Sequence, residues 1–232
     1  MATKVFGFLA AATLATVVSS FAGAANAASL SYSGSTDYEF TNINDEQISI
    51  QKFNSSLGKL KGVKINFTGD MQGNAGFENR SPNAAAVTVN LAGIFGLKLN
   101  GQSLFTLNPL QANTYQVTKF DGKVDEGGTS GKTIEGLTAT QSSTQTFTDS
   151  QFLQSFIGAG NVNFLFSAIA NSSVTGSGNM RSYVDTLARA NVSVVYDYDP
   201  AKVPEPSAAI GIGVIGGIAL LSKSKKKLAS NS

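Results

Sequence analysis

What most limits the fold of this chain is an alternation of apolar and polar side chains, every second residue, that returns again and again through its middle. It is clear at Tyr38 and Phe40; Ile48 and Ile50; Val63, Ile65 and Phe67; Val87, Val89 and Leu91; Tyr115 and Val117; Val162, Phe164 and Phe166; and Val192, Val194, Tyr196 and Tyr198. A strand sends successive side chains to opposite faces, so this period marks strands buried on one side and wetted on the other. Clusters of Gly, Asn, Ser and Asp at 54–58, 121–122, 127–131 and 171–178 separate them, residues that turn the backbone and supply positive φ. Seven or more short strands joined in this way predict an all-β fold, an antiparallel β-sandwich or jelly roll. One short helix is expected as well. Phe152, Leu153, Phe156 and Ile157 share a helical face, Asp149 or Ser150 can cap its start, and Gly158 can close its end.

The 232 residues include no Cys, no His and no Trp. Disulfides are excluded, so the domain must rest on its core and its sheet hydrogen bonds. Ser-His-Asp triads, cysteine nucleophiles and zinc sites made of imidazole or thiolate are excluded with them. Carboxylate chemistry alone survives, as a calcium site or as the paired acids of a glycosidase. The formal charge of +2 belongs to the ends, because residues 28–203 hold 12 basic and 14 acidic side chains. A weakly acidic body with no basic cluster gives phosphates nothing to neutralise, and no nucleic-acid partner is expected.

Both ends read as transport segments. Lys4 precedes an apolar stretch from Val5 to Val18, and small residues then lead to Ala25-Asn26-Ala27, the layout of a signal peptide over 1–27 with cleavage after Ala27. At the other end Val203-Pro204-Glu205-Pro206-Ser207 precedes a stretch without charge, Ala208 to Leu221, and then Lys223-Ser224-Lys225-Lys226-Lys227. Two prolines so close together place the start of a helix at or after Pro206. A membrane helix over 208–222 is expected, short for a bilayer of about 30 Å, with the basic tail 223–227 on the cytoplasmic side. Gly211-Ile212-Gly213-Val214-Ile215-Gly216 matches the dinucleotide fingerprint by letter, yet no strand precedes it and no acidic residue follows at the required distance, so it is read as chance.

The segment from Val203 to Lys227 resembles the PEP-CTERM sorting signal of Gram-negative bacteria or cyanobacteria, the family's Pro-Glu-Pro falling on Pro204, Glu205 and Pro206. That resemblance implies recognition and cleavage by an exosortase, with Val203, Pro204, Glu205 and Pro206 as the sorting motif. It also implies passage from the inner membrane, held transiently, to the cell surface, outer envelope or extracellular matrix. The body over 28–202 is similar to the choice-of-anchor E domain. Phe53-Asn54-Ser55-Ser56-Leu57-Gly58-Lys59-Leu60 with Val63-Lys64-Ile65, the pair Glu78-Asn79, Phe156-Ile157-Gly158-Ala159-Gly160, and Val192 to Tyr198 carry the likeness. This second resemblance implies a β-sandwich and surface display, and lends no functional residues.

Within the body the candidate chemistry is sparse. Asp197 and Asp199 alternate with Tyr196 and Tyr198, an arrangement that suits a solvated strand face or an edge calcium site. Asp45-Glu46 and Asp121, Asp125 and Glu126 form acidic turns, none with the spacing of a calcium loop. Glu78 beside Asn79, in a glycine-containing strand from Met71 to Asn79, is the one speculative ligand site, set against a carboxylate satisfied by turn amides. Tyr32, Tyr38, Tyr115, Tyr183, Tyr196 and Tyr198 are available to stack on sugars, against a role in core or edge packing with hydroxyls at water. No catalytic residue and no cofactor are expected, calcium being the one ion left open. The sequence therefore predicts a non-catalytic exported protein processed by signal peptidase and an exosortase and associated with exopolysaccharide or the outer envelope. A carbohydrate-binding module is the alternative, and a carboxylate-dependent glycoside hydrolase stands behind it.

Overall fold

The computed structural model of the chain describes residues 16–18 and 27–201. The expected membrane helix 208–222 lies outside them. Of the signal segment, only Thr16–Val18 and Ala27 are described.

Two six-stranded antiparallel sheets face each other. The first contains β1 (Thr16–Val18), β2 (Ala28–Ser35), β12 (Met180–Pro200), β5 (Gly58–Asn79) and β9 (Gly131–Phe147) in that order, and β3 (Glu39–Phe40) pairs with β12 beyond the end of β2. In the second, β6 (Ala85–Leu99) is central. β10 (Asn161–Ala170) and β11 (Ser173–Thr175) pair with it, as do β7 (Gln102–Leu107) and β8 (Leu110–Val117), and β4 (Ile43–Gln51) lies outside β10. Among the described residues one α-helix, α1 (Ser150–Gln154), closes an end of the sandwich.

The alternation sorts itself as expected. Val63, Ile65, Phe67 and Met71 of β5 point inward, and so do Val192, Val194 and Tyr196 of β12 and Val87, Val89 and Leu91 of β6, all buried. Phe67, Phe95, Phe105 and Phe166 meet between the sheets with ring centroids 5.6 to 6.1 Å apart. Each such side chain, fully buried, stabilises by about 1.5 to 3 kcal/mol against exposure. Toward α1 a second aromatic group forms around Tyr196, whose ring packs with Phe53 and Phe156 and whose hydroxyl donates to the Gln51 carbonyl at 2.7 Å.

Three expectations change. The strands are not all short: β5 has 22 residues and β12 has 21, and they pair along nearly their whole length. Each is interior to the sheet and paired with the other along nearly its whole length, and β2 and β9 flank much of that length, so most of the backbone groups are satisfied and nothing forces an early end. The helix is shorter than expected at its C-terminus. Asp149 caps it through bonds from the amides of Gln151 and Phe152, but it ends at Ser155, before Gly158. Gly158 instead takes φ 125° and donates its amide to Phe53 O. Phe40, expected on a buried face, is 76% exposed, because β3 is a two-residue strand at the sheet margin with nothing packed over it.

Candidate functional site

β5 carries the pair Glu78 and Asn79 at its last two positions, where the flanking chain closes over it. Both residues are fully buried. Asn79 points inward, and its amide nitrogen donates to the carbonyls of Asn83 at 2.9 Å and Thr118 at 2.8 Å while its oxygen accepts from the Ser81 amide at 3.1 Å. Glu78 belongs to the outward series of β5, with Arg181 and Gly131 beside it in register. It is nevertheless dry, because the segment 121–130 folds back across the sheet there. Glu78 Oε1 accepts from the hydroxyl of Ser130, itself fully buried, and Oε2 has no hydrogen-bond partner. Arg181 turns to Glu126 instead, 3.1 Å away, close enough for an ion pair but not aligned as a hydrogen bond. As a surface ligand site the pair is closed. Asn79 joins three pieces of backbone, and Ser130, which the sequence reading did not single out, is the partner of Glu78. Nothing local marks Ser130, since its contact with Glu78 spans 52 residues.

The acidic turns are occupied by their own chain. Asp121 accepts from the amides of Lys123 and Thr129, and the first of these bonds does most to hold its carboxyl below the usual range. Asp125 accepts from the Gly127 amide at 3.1 Å. Asp45 is held low by Lys98, 3.0 Å away, and by the Ser167 hydroxyl. Its neighbour Glu46 differs. Burial, reinforced by the negative charges of Glu39 and Asp37, pushes its carboxyl up to about 7. Asp199 forms an exposed ion pair with Lys61 at 3.5 Å, and Asp197 is half-buried without a partner of this kind among the described residues. Among the described residues no three His, Cys, Asp or Glu side chains converge on a point.

The six tyrosines divide by environment. Tyr196 is buried, which pushes its phenol well above the usual range, and its hydroxyl meets a backbone carbonyl rather than the expected water. Tyr32 and Tyr198 pack beside it on Tyr196 and Phe53. Tyr115 lies between Phe77 and the Lys132 ammonium, and Tyr38 lies beneath the Arg189 guanidinium at 4.6 Å. Tyr183 alone among them is exposed, at 40%.

Tyr183 sits on the outer face of the first sheet, opposite Gly76. Rows of side chains cross this face from β2 through β12 and β5 to β9. Ser33, Ser193, Asn66 and Thr144 make one row, and Ser35, Asn191, Thr68 and Ser142 the next. They bond to one another, Asn66 to Thr144 at 2.8 Å and Thr68 to Ser142 at 2.9 Å. In the following row Asp70 receives Arg189 at 3.0 Å, Asn191 at 3.3 Å and Thr140 at 2.8 Å, which neutralises the charge. A shallow, open depression of about 120 Å³ lies over Ser33, Asn66, Asn191 and Ser193. A second, of about 340 Å³, lies at the sandwich end between Asn100, Gln102 and the first turn of α1.

Of the other expected site residues, Ala27 is exposed just before β2, and Ala25, Val203, Pro204, Glu205 and Pro206 lie outside the described residues. By its own geometry the chain is an all-β protein of two facing antiparallel sheets. No protein-family model and no curated protein matches it. Two capsid structures of infectious bursal disease virus show a weak likeness. A mutant VP2 protein in derived T=1 particles is 13% identical, over 85% of this chain and 48% of that one, with a TM-score of 0.14. The Gx strain is 9% identical, over 96% and 55%, with the same TM-score. The chain spans about half the length of those proteins.

Proposed function

We propose that this chain is a non-catalytic exported protein of the cell surface or extracellular matrix. In this reading signal peptidase removes 1–27, an exosortase recognises Val203, Pro204, Glu205 and Pro206 and removes the tail, and the sheet domain associates with exopolysaccharide or the outer envelope. The observation that carries the reading is the order of segments in the sequence, an apolar leader ending in Ala25-Asn26-Ala27 and a Pro-Glu-Pro followed by an apolar run and lysines. The placement of the strands is compatible with both cuts. β2 begins at Ala28, and β12 ends at Pro200, where the Ala201 amide is tied to Leu57 O at 2.8 Å. Cleavage at either point therefore leaves the paired strands β2 to β12 whole, and removes only the three-residue β1 from the margin of β2.

Mass spectrometry of the protein recovered from the surface of its native host tests the processing. The expected product begins at Ala28 and ends near Val203. A mature surface protein that still ends at Ser232 refutes the exosortase step. Replacing both prolines, Pro204→Ala with Pro206→Ala, is expected to leave the tail attached and the protein in the inner membrane.

A further inference from the structure

We propose that the outer face of the first sheet, between Tyr183 and Phe40, binds an uncharged polysaccharide chain, with sugar rings lying on Tyr183. This deepens the reading of the chain as a matrix protein and rests on it, naming the contact face and the ligand class. The first observation is the way Tyr183 is held. A Cβ at Gly76 would lie 2.2 Å from Tyr183 Cε1, 2.7 Å from Cζ and 2.9 Å from Oη, so the ring leans across β5 into space that only glycine leaves free. The ring lies against the Gly76 backbone, and the residue stays 40% exposed. β5 is paired on both sides at Gly76, with Tyr183 of β12 and Thr133 of β9, which makes the support beneath the ring stiff. A flat, half-exposed ring fixed on a sheet presents apolar area and a π face at little entropic cost, which is what the C–H face of a sugar stacks on.

The second observation is Phe40, 76% exposed. It pairs with Leu187, four residues along β12 from Tyr183 and on the same face. At about 3.4 Å per residue along the strand and about 4.8 Å across to β3, the Cα atoms of Tyr183 and Phe40 lie roughly 14 Å apart, and the rings lie farther apart because that of Tyr183 leans toward β5. One oligosaccharide can touch both. Asp185 and Leu187 of β12 lie along the way, with Asn74 and Gln72 opposite them on β5, all on the outward series and all at least partly exposed. Asn74 Oδ1 accepts from the Gly136 amide at 3.0 Å, which fixes the side chain and turns its amino group to the face. Amides and a carboxylate of this kind can exchange hydrogen bonds with sugar hydroxyls.

Charge selects the ligand. Asp70 is neutralised by Arg189, whereas Asp185 has no ion pair among the described residues. An anionic polymer laid from Tyr183 to Phe40 would be repelled by that carboxylate, and an uncharged one would not. Nor does the face suit a protein partner, since two rings divided by polar groups lack the continuous dry centre that protein interfaces bury.

The test uses exported protein purified from producing cells, sedimented with insoluble cellulose, curdlan and chitin and, separately, with calcium-gelled alginate as the anionic probe. The wild type is expected to bind at least one uncharged polymer and not alginate. Tyr183→Ala should weaken the association about tenfold, Phe40→Ala less, and Tyr183→Phe, which keeps the ring, hardly at all. Leu110→Ala, exposed on the other sheet, should change nothing. Asp185→Lys should gain binding to alginate. Wild-type protein that binds no uncharged polymer overturns the proposal, and so does Tyr183→Ala that binds as the wild type, or Tyr183→Phe that has lost binding while folded by circular dichroism. Those results leave the processing reading untouched when the tail is found cleaved, and an intact tail removes the processing reading without touching this one.

Discussion

Replacing Asn79 by alanine asks whether the Glu78-Asn79 pair is a joint of the fold or a site kept for a ligand. The substitution removes three hydrogen bonds at once and leaves the carbonyls of Asn83 and Thr118 and the amide of Ser81 without their partner. A buried group left wholly unpaired costs about 1 to 3 kcal/mol, but Asn83 and Thr118 are exposed residues and both of their bonds to Asn79 are only partly buried. The smaller figure, about 1 kcal/mol for each net hydrogen bond, is the appropriate one, and the total is roughly 3 kcal/mol. Asn79→Asp should cost at least as much, because it keeps the acceptor for Ser81 but turns a carboxylate toward two carbonyl oxygens. Urea unfolding of the exported protein, followed by circular dichroism, measures the loss. With m about 2 kcal/mol/M the midpoint should fall by roughly 1.5 M. A loss below about 0.5 kcal/mol with unchanged m, the size seen at ordinary surface positions, would refute the assignment of Asn79 as a structural joint.

Gly69 faces the ring of Phe95 from the opposite sheet, and a Cβ there would lie 2.2 Å from Phe95 Cδ2. Gly69→Ala is therefore expected to cost about 1 to 3 kcal/mol by overpacking, and clearly less in a Phe95→Leu background, a coupling that a double-mutant cycle reads directly. Glu46 sets a pH dependence. In the folded chain it keeps its proton up to about pH 7, while the unfolded chain releases it near 4.5, so between those values the folded state binds more protons and stability falls as pH rises. Thermal midpoints taken across this window should decline in the wild type and decline less in Glu46→Gln. Equal slopes in the two proteins would show that Glu46 is not the group responsible.

The all-β fold was legible because its cause is local. Val63, Ile65 and Phe67 alternate with polar neighbours, and any strand they form must send them to one side together. The start of α1 was legible for the same reason, since Asp149 bonds to amides only two and three residues away. β9 escaped notice although it runs for 17 residues. Its outward positions are Thr138, Thr140, Ser142, Thr144 and Thr146, and as a strand at the sheet margin it needs few apolar residues to hold its place. The candidate site was legible only as a pair of residue types, because the sequence near Glu78 contains no sign of Ser130.

By itself, then, the sequence determined which side chains share a face, which chemistries a chain without His or Cys excludes, and that its ends have the pattern of transport segments. Tertiary structure alone decided which of those faces stay wet. Glu78 and Tyr183 both lie on the outward side of one sheet, yet the first is sealed by the returning segment 121–130 and the second is left open on Gly76. The physical reason is that alternation is a property of one strand, whereas burial depends on what distant chain comes back to cover it.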